Sequence, residues 1–168
     1  AVALICIFLF ANGLPAIAEI GPLDFLLGRT WRPANDLYGI FPFILGSIYV
    51  TAGAIVIGVP IGILTSVFMA EYCPAKIYRP LKAATELLAG IPSVVYGFFG
   101  MLVLVPFIRE TTGSKGNVML TACILLGIMI LPTIIGTTES ALRSVTRTYY
   151  EGALALGATK ERTIFTVM

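Results

Sequence analysis

The stretch VMLTACILLGIMILPTIIGTTES, Val118 to Ser140, carries no charged residue before Glu139. A helix that crosses a bilayer needs about 20 mostly apolar residues. Inside hydrocarbon every backbone N–H and C=O must pair within the segment, so such a run is helical. Three more apolar segments precede it: Ala1 to about Ala18, about Phe41 to Met69, and about Ala83 to Ile108. The expected fold is an all-α membrane protein with four spans. The first segment has the length of a signal-peptide core but no basic stretch before it, so it reads as a membrane span trimmed at its start. The second is longer than a ~30 Å hydrocarbon core at 1.5 Å per residue, so tilt or a break is expected. Pro60, within Gly58-Val59-Pro60-Ile61-Gly62, is the candidate kink, because proline removes a helical hydrogen bond. Asn117 is the expected N-cap of the fourth segment.

Composition points the same way. Of 168 residues, 58% are hydrophobic and only 12% charged; a soluble domain has about 25% charged residues. The net charge of +2 comes with no basic patch, which argues against a nucleic-acid partner. There is no histidine, which excludes His-ligated metal sites and His general bases. Cys6, Cys73 and Cys123 are isolated and read as small apolar residues. No nucleophile–base pair, metal cluster or P-loop can be assembled, so neither an enzyme nor a cofactor is expected.

The connectors set an orientation. Gly21 to Tyr38 is polar, with Trp31 and Tyr38 suited to a membrane–water interface. Lys76, Arg79 and Lys82 follow the second segment, and Arg143, Arg147, Lys160 and Arg162 follow the fourth. These fall on one side if every segment spans, and they outnumber Arg29, Arg32, Arg109 and Lys115 on the other. The bias places the tail in the cytoplasm.

Several motifs invite both a packing and a functional reading. Ala54, Gly58 and Gly62 form a small-residue stripe four apart, suited to close helix packing or to a path or interface. Glu86 pairs by spacing with Lys82, and Glu139 with Arg143 in the favoured acid-first order; the alternative for both acids is a gate or polar lining. In Gly90-Ile91-Pro92-Ser93, Pro92 frees a backbone carbonyl that Ser93 or neighbouring backbone must satisfy. Broken helices of this kind point to substrate paths in transporters. Pro60, Pro92, Ser93, Tyr96, Glu139 and Arg143 are thus the candidate helix-break and pathway residues. The tail reads as one or two amphipathic helices joined near Gly157.

In that tail, Glu151-Gly152-Ala153, then Gly157, then Val167 resemble the cytoplasmic EAA loop of ABC-importer permeases: Glu-Ala-Ala, three residues, Gly, nine residues, Ile-x-Leu-Pro. Gly152 replaces the first Ala and Val167 the Ile. Asp36 to Ser47, Glu86 to Gly100, Leu131 to Ile134 and Glu139 to Arg143 are similar to the PstC family, the permease subunits of phosphate importers. The resemblance implies a six-helix subunit, cut at both ends here and so unable to transport by itself. It implies pairing with a PstA-like permease subunit, a PstB-like ATPase docked on Glu151, Gly152, Ala153 and Gly157, and an extracytoplasmic phosphate-binding protein. A bacterial inner-membrane location follows. A permease for another oxyanion or solute, and a scaffold that only recruits a soluble partner, remain open alternatives.

Overall fold

The computed structural model describes residues 2–113 and 118–167. Apart from one two-residue hairpin it is built of helices, and the chain divides into two compact units, 1–49 and 50–168. Among the described residues, four helical runs are long and apolar enough to cross a membrane: Val2–Ile20, Phe41–Tyr72, Ser93–Thr111 and Met119–Ser144. The protein is therefore a multi-pass membrane protein of the all-α class.

The first unit opens with α1 (Val2–Ile20), apolar all round and without a buried residue. Gly21 turns the chain at φ 92° into the short α2 (Pro22–Leu27), with Pro22 at its start, where the missing N–H costs nothing. β1 (Trp31–Arg32) and β2 (Leu37–Tyr38) pair antiparallel around a 3₁₀ turn at Pro33–Asn35. The Ile40 N–H donates to the Phe25 carbonyl (2.9 Å), which ties the hairpin to α2. The Trp31 ring meets Tyr38 and Phe43 edge-on at 5.8 and 5.5 Å.

The second unit is organised around α7 (Val118–Ser144). α3 (Phe41–Val67) enters this unit after Tyr49 and packs on α7 through the small-residue stripe. Ala54, Gly58 and Gly62 are all buried. A Cβ at Gly58 would lie 2.9 Å from the Gly127 carbonyl oxygen, and one at Gly62 would lie 2.6 Å from Ile134. The stripe is thus a close-packing surface within the chain, where small residues let two helix backbones approach.

Two prolines sit differently in the helices. Pro60 lies inside α3, which continues unbroken to Val67. Gly58 and Gly62 hold the helix against α7 on either side of the proline. The ladder departs from α geometry further on, in a π turn at Phe68–Tyr72. The third apolar segment, about Ala83 to Ile108, is broken at Pro92. α4 (Ala75–Gly90) stops at Ile91–Pro92, where the backbone is extended. The chain then runs as α5 (Ser93–Phe99), a second π turn (Gly100–Leu104) and α6 (Val105–Thr112). Proline disfavours helical geometry in the residue before it, which is why the break falls here. The proposed N-cap Asn117 lies outside the described residues.

Candidate coupling site

After α7, α8 (Arg147–Ala155) and α9 (Lys160–Val167) form a helical hairpin. The turn between them follows from one residue. Gly157 adopts φ 84°, a left-handed conformation that glycine enters without penalty. Its N–H donates to the Leu154 carbonyl (2.9 Å), and the Ala158 N–H donates to Ala153 (3.1 Å). This is the Schellman pattern, which satisfies the last carbonyls of α8. Thr159 then accepts from the Arg162 N–H and begins α9.

One side of the hairpin packs and the other does not. Ile164 is buried with Val67 and Leu142, and Tyr150 lies against this cluster. Glu151, Gly152 and Gly157 are exposed and Ala153 is half-buried. Leu156, at the tip, is 91% exposed.

Beneath the hairpin lies a charged cluster. The Glu139 side chain is 3% exposed. Its Oε1 accepts from the Tyr78 hydroxyl (2.6 Å) and from Arg143 Nε (2.9 Å). Its Oε2 accepts from Lys82 Nζ (2.9 Å). Both carboxylate oxygens are thus satisfied, as a buried charge requires. Lys82 reaches across to Glu139 and not back to Glu86, because α4 presents it to α7. The same bonds favour the protonated forms of Lys82 and Tyr78 and raise both pKa values. Arg143 lies 4.9 Å above the Tyr78 ring and also donates through Nη2 to the Met69 carbonyl (3.4 Å). Lys160 donates to the Glu71 carbonyl (3.1 Å) and sits 4.3 Å above the Tyr72 ring.

These contacts place the connector bearing Lys82 and the tail bearing Lys160 at the same end of the unit, as the charge pattern requires. The pairing of Glu139 with Arg143 is visible in the i,i+4 spacing. The parts played by Tyr78, Lys82 and Lys160 are not, since Tyr78 and Lys82 lie 61 and 57 residues from Glu139 and Lys160 lies 89 from Glu71.

The other candidates stand apart, at the α4–α5 break. Pro92 has no N–H, so the Leu88 carbonyl loses its helical donor. The Tyr96 hydroxyl (3.0 Å) and the Ile91 N–H (3.3 Å) replace it. Of the two expected donors, Ser93 or neighbouring backbone, the backbone N–H of Ile91 serves, while Ser93 begins α5 and is exposed.

Residues 58–168 match the family described as binding-protein-dependent transport system inner membrane component. The chain is 42% identical to the "Probable ABC transporter permease protein YqgH" of Bacillus subtilis, over 98% of this chain and 55% of that protein. It is 35% identical to the "Phosphate transport system permease protein PstC" of Mesorhizobium japonicum, over 92% of this chain and 53% of that protein. It is 33% identical to the "Probable phosphate transport system permease protein PstC" of Methanocaldococcus jannaschii, over 93% and 56% respectively. The chain thus spans about half the length of these relatives. No solved structure gives a significant match. With a family match over most of its length and relatives aligned almost end to end with it, the chain belongs to the family of binding-protein-dependent transport system inner membrane components.

Proposed function

We propose that the chain is part of the permease subunit of an ATP-driven phosphate importer in a bacterial plasma membrane, and that α8 is the helix on which the ATPase docks. The observation that carries the docking role is the two-sided hairpin. One side is anchored by Tyr150 and Ile164. The other presents Glu151, Gly152 and the 91% exposed Leu156 around a glycine-capped turn. An apolar tip on a charged, half-polar helix outside the spans suits a cleft in a soluble partner. The phosphate assignment is supported by the names of the PstC relatives. The remaining partners are a PstA-like permease subunit, a PstB-like ATPase that supplies all catalysis, and an extracytoplasmic phosphate-binding protein. Pro92, Ser93 and Tyr96 are placed on the substrate path, at the broken helix, where small polar groups and free backbone can touch an anion without trapping it.

The test uses the full-length protein in its assembled importer. Gly157→Trp leaves open space around the new Cβ but strains the left-handed backbone and blocks the tip. The variant is expected to insert into the membrane, lose the co-purifying ATPase and lose phosphate uptake. Normal assembly and uptake in this variant removes the docking assignment. Uptake of labelled sulfate or molybdate without uptake of labelled phosphate removes the phosphate assignment.

A further inference from the structure

A buried carboxylate in a transport protein is expected to serve either the path or a moving gate. The surroundings of Glu139 fit neither. Its two oxygens are filled by three donors, Tyr78 and Lys82 from α4 and Arg143 from α7 itself. Among the described residues no buried side-chain nitrogen or oxygen lacks a partner.

The cluster also continues in one direction. The π turn at Phe68–Tyr72 offers two backbone carbonyls, and both accept from cations elsewhere in the chain. The Met69 carbonyl takes Arg143, and the Glu71 carbonyl takes Lys160. Met69 itself is 1% exposed, so this turn is held on its side-chain face as well. Lys160 belongs to α9, and Ile164 of the same helix packs on Val67 and Leu142. An unbroken series of polar contacts therefore runs from α4 through Glu139 and Arg143 to the π turn, and from the turn to the α8–α9 hairpin.

We infer that Glu139 is a positioning residue for coupling: it locks α4, the end of α7 and the π turn into a static strut that carries the α8–α9 hairpin as a rigid body. The inference rests on the reading of α8 as the ATPase-docking helix. In this arrangement a displacement of α8 reaches α4 without loss in a soft joint, and so arrives at the break at Ile91–Pro92. Interiors transmit strain because they are close-packed and bistable rather than continuously deformable. The strut stays closed through the cycle, whereas a switch built on the same residues opens in each turnover.

Glu139→Gln keeps the shape of the side chain and removes the charge that holds two cations. In the full-length importer reconstituted in vesicles, it is expected to retain the bound ATPase but lower phosphate transported per ATP hydrolysed about fivefold or more. A wild-type ratio overturns the inference. Where this variant fails to assemble, Tyr78→Phe removes one donor and leaves the ion pairs. It is expected to assemble fully and still lower the ratio, and an unchanged ratio again overturns the strut. Lys82→Cys with Glu139→Cys, in a background without Cys6, Cys73 and Cys123, separates strut from switch. Bridging the pair with a short bifunctional thiol reagent is expected to restore the ratio lost in the unbridged form. An inactive bridged complex means the pair must open, and overturns the inference. Failure of the docking reading shows separately, as ATPase retention by Gly157→Trp.

Discussion

Two of the helix interruptions described in the second unit are repaired in opposite ways. At Ile91–Pro92 the proline deprives the Leu88 carbonyl of its donor, and the repair is local: Tyr96 and Ile91 supply it from eight and three residues along the chain. At Phe68–Tyr72 no proline lies inside the turn, and its carbonyls accept from Arg143 and Lys160, which arrive from two later helices. The first break is self-contained and its segment stays exposed. The second is a junction, and Met69 within it is buried. A helix defect patched from within is free to act as a hinge, whereas one patched from outside fastens other elements to it.

The comparison predicts a graded series. The largest effect is expected for Arg143→Met, which removes a charge-assisted bond from Glu139 and leaves the Met69 carbonyl unpaired. The loss should be about 2 kcal/mol, read as a fall in the thermal midpoint of the detergent-solubilised full-length protein. Lys160→Met removes one carbonyl bond and one cation–π contact and is expected to cost about 1 kcal/mol, with faster amide exchange in α9. Tyr96→Phe leaves the Ile91 N–H on Leu88, so its cost should be smaller, at about 0.5 kcal/mol, with faster exchange confined to residues 88–97. A larger loss for Tyr96→Phe than for Arg143→Met reverses the assignment of hinge and junction.

Alkaline pH gives the mildest probe. The hydrogen bonds to Glu139 raise Tyr78 above its ordinary 10.0 and Lys82 above its ordinary 10.5. A raised folded value contributes stability that is whole below the unfolded value and is lost as pH rises through the folded one. The thermal midpoint should therefore stay flat from about pH 7 to 9 and fall above about pH 10.5, and Glu139→Gln should flatten that fall. A decline already complete by pH 9 places the titrating groups elsewhere.

The sequence announced the first interruption because proline is a visible cause. For the repair it offered Ser93 or neighbouring backbone; the Ile91 N–H is such a backbone donor, and Ser93 is not a donor there. Tyr96 lies one turn further and reaches back over the break. Pro60 lies in a helix that continues to Val67. The small-residue stripe beside it was legible as a packing face, but that α7 is its partner was not. Pro74 marks where this helix ends, but the π geometry of Phe68-Met69-Ala70-Glu71-Tyr72 was not legible, because that stretch has no helix-breaking residue of its own. The α8–α9 hairpin was the most legible part of the site: Gly157 both marks the EAA-like pattern and forms the left-handed cap.

What the sequence determined alone was every feature with a local cause. Long uncharged runs require helices in lipid, the Lys and Arg bias pairs the ends, and Gly157 turns the tail into two helices. What only the tertiary structure decided was which donors a buried charge receives. The Glu139 carboxylate had a visible partner four residues away in Arg143, yet Tyr78 and Lys82 come from α4, and Lys82 bypasses Glu86 on its own helix. Helical spacing ranks neighbours along one helix, while the close approach of another helix brings in donors from tens of residues away. That choice belongs to packing, because a charge taken out of water draws its partners from whatever the fold places beside it.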